Sequence, residues 1–193
     1  MKKPTCCKLG RSGPANKQPM KKCVFLDRDG VLNEEIGTYV YKPEDLIIPE
    51  QMPEALQKLK QAGYLLVVVT NQAGIAQGKY TREDVLACHN KIQEACGHIL
   101  DALYYCPYHP DYNTASLARK PDSLMIEKAI ARFGIDRSQS WMIGDRHRDI
   151  EAGHKQRVRG IFITTQESAP QMATYTARNL HEAACYILQA AGT

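Results

Sequence analysis

The sequence has no apolar run approaching the roughly 18 residues that a membrane-spanning helix needs. Its first residues, MKKPTCCKLG, lack the apolar stretch that follows the positive start of a secretory signal. Both absences argue for a cytoplasmic chain with no membrane partner. Acid is missing from the first 22 residues, which hold seven lysines and arginines. The remainder carries 18 basic against 21 acidic residues, so the formal charge of +4 resides in the tail and the body is near −3. That sign argues against nucleic acid, because a groove for phosphates carries its basic charge on the folded surface. The tail is also poor in apolar residues and rich in Pro, Gly, Ser and Lys. Residues 1–21 are therefore expected to be a disordered extension. Cysteine occurs seven times, an odd number without framework spacing, and with no export signal reduced thiols are expected. No internal repeat and no later linker divides the rest, and residues 22–193 read as one domain, expected to be monomeric.

Strands and helices alternate along that domain. The V-F-L run within Lys22–Leu26 predicts a short buried strand, and YLLVVVTN (64–71) is a β-branched run of the kind buried on both faces of a parallel sheet. Met52, Ala55, Leu56 and Leu59 form a helical stripe over 51–62 that Gly63 stops. Thr81, followed by Arg82, Glu83 and Asp84, is a predicted N-cap for a helix over 82–96. Further strands are expected at 102–105, 140–145 and 160–164, with helices at 123–133 and 179–191. The alternation argues for right-handed βαβ units and an α/β fold with a doubly wound parallel sheet. In such sheets the ligand crevice lies at the carboxyl ends of the strands, where Asp27, Thr70 and Asp145 all fall.

Asp27 and Asp29, in VFLDRDGVLN, project to one side of an extended segment and repel each other. A divalent cation removes the repulsion. Oxygen donors suit Mg²⁺, which takes one or two carboxylates together with water and substrate oxygens. Asp145 can add a further carboxylate, and Asp149, one helical turn on, can steady it from outside. Beside Thr70 and Lys120 such a site suits phosphate. Asp27 is then the nucleophile that forms an aspartyl-phosphate, and Asp29 gives a proton to the leaving oxygen and later takes one from water. Thr70 donates its hydroxyl to a phosphoryl oxygen, and Lys120 neutralises charge. His147 reads as a surface residue at a helix start, and Arg146 is the better candidate for holding phosphate.

DRDGVLN, TNQ, RKP and IGDRHRD, in that order, resemble the four motifs of the haloacid dehalogenase superfamily of phosphohydrolases. The resemblance spans about residues 22–165. It implies Asp27, Asp29, Thr70 and Lys120 as catalytic residues, with Mg²⁺ on Asp27, the Asp29 carbonyl and Asp145. The longer segments TNQAGIAQGKYT, YYCPYHP and ARKP are similar to D-glycero-D-manno-heptose 1,7-bisphosphate 7-phosphatases and to the related histidinol-phosphate phosphatases. Those families are nearly capless. Only about 40 residues separate Asp27 from Thr70 and about 50 separate Thr70 from Lys120, so specificity falls to loops. The matching substrate-binding positions are Arg28, Glu35, Tyr39, Asn71, Gln72, Arg119 and Arg146.

Relatives in this group carry a zinc loop, and this chain keeps Cys106 alone of its ligands. Tyr108 stands at the histidine position, and Ser116 and Ala118 stand at the two cysteine positions. One ligand cannot build a closed four-coordinate site, so zinc is expected to be absent. The expected partner is a small phosphorylated sugar, a heptose bisphosphate ahead of histidinol phosphate. A polynucleotide 3′-phosphatase is opposed by the acidic body. A non-catalytic phosphosugar-binding protein is opposed by the retention of Asp27, Asp29 and Lys120.

Overall fold

Each central strand sends alternate side chains to opposite faces of one sheet, so each short apolar run serves two cores at once. Val24, Leu26, Leu66, Val68, Trp141 and Ile143 pack on one face, and Cys23, Phe25, Val67, Val69 and Met142 on the other. The computed structural model describes residues 19–165 and 168–191. Most of the predicted tail, with Cys6 and Cys7, lies outside the described residues. Lys21, assigned to the tail from sequence, instead pairs with Ile135, its amide donating to the Gly134 carbonyl at 2.9 Å.

The strands are β1 (Cys23–Leu26), β2 (Leu65–Asn71), β3 (Ala102–Cys106), β4 (Trp141–Gly144), β5 (Arg159–Ile163) and β6 (Ala173–Ala177). The helices are α1 (Met52–Gln61), α2 (Arg82–Ala95), α3 (Leu124–Phe133), α4 (His147–Lys155) and α5 (Leu180–Ala190). All strand pairs are parallel and the order is β3-β2-β1-β4-β5-β6. The doubly wound α/β expectation holds. The chain leaves β1 toward β2 and β3 and then returns to the other side of β1 to add β4. The order therefore reverses between β1 and β4, where open α/β sheets place their ligand.

Burial explains why most elements were legible. The α1 stripe of Met52, Ala55, Leu56 and Leu59 is fully buried, each leucine contributing on the order of 2 kcal/mol of hydrophobic stabilisation. Thr81 caps α2 as expected, in a reciprocal box with Asp84. β6 has no counterpart in the sequence reading. Its ATYTA run buries only its last residue, and as an edge strand on β5 it needs no continuous apolar signal. The segments 27–51, 72–81 and 107–123 are short connections over the carboxyl edge, and among the described residues no separate cap domain is inserted there. No helix among the described residues is long and apolar enough to cross a membrane. The five described cysteines are free thiols.

Candidate active site

The last residue of a strand still hydrogen-bonds to its neighbours while the next one leaves the sheet, and Asp27 stands at that boundary. Its amide donates to the Ile143 carbonyl at 3.0 Å, continuing the β1–β4 ladder and fixing the side chain at the reversal point. Its Oδ1 accepts the Arg28 amide at 2.7 Å and lies 2.9 Å from Lys120 Nζ. The Lys120 side chain is 1% exposed; its ammonium also lies 2.7 Å from Asp149 Oδ1 and donates to the Val69 carbonyl at 2.8 Å. One carbonyl accepts a proton from it and two carboxylates balance its charge, so the buried ammonium is compensated. Burial alone would lower the Lys120 pKa, but Asp149 and Asp27 outweigh it and the net shift is upward.

Asp27, Asp145 and Asp149 bring one oxygen each to within 4.8 Å of one another. Burial, then Asp27 and Asp149, pushes the Asp145 carboxyl up to about 7. Burial and Asp27 also raise Asp149. Three acids against the Lys120 ammonium and the partly exposed Arg146 guanidinium still leave negative charge uncompensated, and the oxygen donor set suits a hard divalent cation. Gly30 supports the same fit. At φ +77° it lies so close to Asp145 that any Cβ would overlap the carboxylate. Asp149, read from sequence as an outer support, is thus a member of the acidic cluster and a direct partner of Lys120. The Asp29 side chain lies outside that cluster.

Asp29 faces a neighbouring cavity of about 430 Å³. Its Oδ1 accepts from Arg28 Nε (3.1 Å) and Nη2 (2.9 Å) and from Asn33 Nδ2 (3.2 Å), and its Oδ2 from Gln72 Nε2 (3.3 Å). Arg28, predicted to bind substrate, is 2% exposed and absent from the cavity lining. Its guanidinium is committed to Asp29 and to the Val40 carbonyl at 2.6 Å. Asn71 lines the cavity, yet its amide pairs in both directions with the Lys120 backbone, at 3.0 Å each way. The buried Gln72 amide reaches Thr70 Oγ1 at 2.9 Å as well as Asp29.

Glu35, Tyr39 and Arg146 line the cavity. Arg146 reaches Glu35 at 3.3 Å and Asp145 at 3.2 Å. Arg119 does not line it. Its Nη1 donates to the Tyr108 carbonyl at 3.5 Å, and burial, then nearby Arg148, lowers its pKa. His147 is exposed and packs edge-on against Phe162, as the surface reading anticipated. Sequence reasoning missed Lys79, Tyr80 and Arg148 in the lining. All three lie inside the quoted segments TNQAGIAQGKYT and IGDRHRD, but only the fold shows which members face inward.

In the loop that follows β3, Asn113 Oδ1 accepts from the His109 and Thr114 amides at 2.9 and 2.8 Å. The Asp111 amide donates to His109 Nδ1 at 3.3 Å, and the Ala118 amide to Ser116 Oγ at 3.2 Å. Cys106 is buried with its thiol 3.9 Å from the Tyr108 carbonyl.

An aspartate held by a buried lysine within an acidic cluster, at the reversal point of a parallel sheet, fits a phosphoric monoester hydrolase of the haloacid dehalogenase type, and the chain's similarity to known proteins shows that class. A family model described as HAD-hydrolase-like matches residues 117–187. The D-glycero-D-manno-heptose-1,7-bisphosphate 7-phosphatase of Chlorobaculum tepidum is 38% identical over 157 residues, 75% of this chain and 79% of that protein. The D-glycero-beta-D-manno-heptose-1,7-bisphosphate 7-phosphatase of Haemophilus ducreyi is 41% identical over 140 residues, 68% of this chain and 76% of that one. The D,D-heptose 1,7-bisphosphate phosphatase from B. bronchiseptica, crystallised with magnesium and phosphate, matches with a TM-score of 0.79 and 28% identity. That match covers 88% of this chain and 99% of the other. The chain belongs to this heptose-bisphosphate phosphatase family within the haloacid dehalogenase-like hydrolases.

Proposed function

We propose that the protein removes the 7-phosphate of D-glycero-D-manno-heptose 1,7-bisphosphate, with Mg²⁺, through an aspartyl-phosphate on Asp27. The observation that carries the reading is an acidic cluster with a buried lysine next to a cavity edged by Lys79, Arg146 and Arg148, with Arg146 reaching the cluster at Asp145. One phosphate can react while cationic side chains hold a second. The named relatives support the choice of sugar. A bound Mg²⁺ on Asp27, Asp145 and the Asp29 carbonyl would supply positive charge against the phosphoryl oxygens. The chain's own groups do the rest. Asp27 attacks phosphorus, an O–P bond forms on its carboxylate, and the ester P–O bond breaks. Asp29 delivers a proton to the departing sugar oxygen. It then takes a proton from the water that attacks the aspartyl-phosphate, releasing phosphate and restoring Asp27. Thr70 and Lys120 stabilise charge on the transferring group throughout.

Arg28 and Asn71 are positioning residues in this scheme, for Asp29 and Lys120 respectively. Substrate contact falls to Glu35, Tyr39, Arg146 and the cavity-facing edge of Gln72, while Arg119 sits off the lining on the Tyr108 carbonyl and adds positive charge at the margin. The loop after β3 holds its shape through Asn113, His109 and Ser116 without zinc, and a purified sample with stoichiometric zinc would overturn that. The protein acts as a cytoplasmic monomer without a nucleic-acid partner, a reading supported by the slightly acidic body and the small-molecule scale of the cavity.

Phosphate release from both heptose bisphosphate anomers, histidinol phosphate and a 3′-phosphorylated oligonucleotide, compared by kcat/KM, tests the substrate. Preference for either of the last two would replace the heptose reading. Asp27→Asn is expected to abolish turnover and leave the fold intact, and near-normal hydrolysis by it would remove the covalent step.

A further inference from the structure

The Gln72 side-chain amide sits between two groups assigned to the chemistry, and its two ends are not equivalent. Nε2 donates to Thr70 Oγ1 and to Asp29 Oδ2, while Oε1 accepts the Tyr80 hydroxyl at 2.8 Å. Tyr80 has no freedom in that contact. Its oxygen already accepts the Gly74 amide at 3.3 Å, so its single proton goes to Gln72. Its ring stacks on Tyr41 at 5.4 Å between centroids, meets Tyr39 edge-on at 5.7 Å, and lies so close to Gly74 that a Cβ there would overlap it. Burial keeps the phenol protonated, pushing it up to about 12.

From this geometry we infer that Tyr80 is a positioning residue: its hydroxyl fixes the direction of the Gln72 amide, which in turn points the Thr70 hydroxyl proton at the substrate phosphoryl group. With Nε2 donating to Thr70 Oγ1, an acceptor lone pair of that oxygen is occupied and its proton is free to turn toward the crevice. A reversed amide would do the opposite. Oε1 would face the Asp29 carboxylate, a contact between two acceptors, and would draw the Thr70 proton onto itself and away from phosphate. Tyr80 lies outside the reacting groups; its ring edges the cavity but its hydroxyl acts through Gln72, and removing that hydroxyl affects the step in which Thr70 donates.

The inference rests on the assignment of Thr70 to phosphoryl stabilisation and not on the identity of the sugar. It is therefore tested with p-nitrophenyl phosphate as well as with heptose bisphosphate. Tyr80→Phe is expected to lower kcat about tenfold on both, the scale of one misdirected hydrogen bond, and to leave KM within about twofold. Gln72→Leu is expected to lower kcat at least as far. In the Gln72→Leu background the further change Tyr80→Phe should have no effect, because the amide through which Tyr80 acts is gone. Should Gln72→Leu fail to fold, Gln72→Met serves in the same cycle, with thermal melts confirming that each variant is native. Unchanged kcat in Tyr80→Phe overturns the inference, as does a loss confined to KM. An equal loss from Tyr80→Phe with and without Gln72 also overturns it. If the wild type hydrolyses p-nitrophenyl phosphate but no heptose bisphosphate, the substrate reading fails and the cycle still decides the role of Tyr80.

Discussion

Replacing Lys120 by methionine, which is of similar length and uncharged, tests whether one buried ammonium holds the acidic cluster together. In the wild type its Nζ lies 2.7 Å from Asp149 and 2.9 Å from Asp27, within a side chain that is 1% exposed. Without it two buried carboxylates lose their only described cationic partner, and the Val69 carbonyl loses its side-chain donor. Breaking a buried pair from one side costs about 3–5 kcal/mol, a large share of the roughly 5–15 kcal/mol that stabilises a domain. With a urea slope of about 2 kcal/mol per molar, the unfolding midpoint in divalent-free buffer should fall by roughly 2 M. The penalty should depend on pH in a definite direction. Asp149 is already raised in the folded wild type, and loss of Lys120 raises it further, so the folded state binds more protons than the unfolded one. Stability from such a group is full below the unfolded carboxylate range and is lost as pH rises through the folded value. The midpoint difference from wild type is therefore larger at pH 8 than at pH 5. Adding Asp149→Asn to Lys120→Met removes one stranded charge and should recover part of the stability. Turnover should stay depressed by about 10²-fold or more. A midpoint shift below about 0.3 M, or a shift independent of pH, would refute the account of the cluster.

Three further expectations follow from neighbouring contacts. Asp145 rises to about 7 through burial, Asp27 and Asp149, so protonation stabilises the metal-free fold fully below about 3.8 and that stability is lost as pH climbs through 7. The gain in Tm on adding magnesium should consequently be larger at pH 8 than at pH 5, and equal gains would count against magnesium at Asp145. Gly30→Ala combines a left-handed backbone, costing about 1–2 kcal/mol, with a Cβ driven into the Asp145 carboxylate. Magnesium affinity measured by titration calorimetry should fall more than about tenfold, the scale of a misplaced ligand, and an unchanged affinity would separate Gly30 from the metal. Asn71→Leu strips both amide bonds from the Lys120 backbone, leaving groups whose desolvation costs about 1–3 kcal/mol. It should depress kcat with little change in KM, whereas a rise in KM alone would return Asn71 to substrate binding.

Where sequence reasoning succeeded, one residue's own chemistry forced its place. An apolar β-branched run has to be buried, and Thr81 with Asp84 caps a helix by local bonds alone. Asp27 required a compensating charge and has Lys120, whereas Asp29, read as sharing that site, turns away from the acidic cluster to the adjacent Arg28. Reading failed where the environment comes from distant segments. Arg28 looked free to meet substrate, but the Val40 carbonyl and Asp29 enclose it. Asn71 looked like a specificity residue, but a backbone 49 residues away takes both ends of its amide. β6 carries no buried stripe, and only the free edge of β5 makes ATYTA a strand.

The sequence by itself determined the alternation of strands and helices and the acidic strand ends, because these follow from local patterns of burial and charge, and its phosphatase motifs were legible through their resemblance to the haloacid dehalogenase family. Tertiary structure alone decided that Asp149 shares Lys120 with Asp27, that Gly30 makes room for Asp145, and that Tyr80 orients Gln72. The first two depend on adding β4 beside β1 after the chain has turned back, which brings residues far apart in sequence within a few ångströms, and the third on the folding of the one loop between β2 and α2.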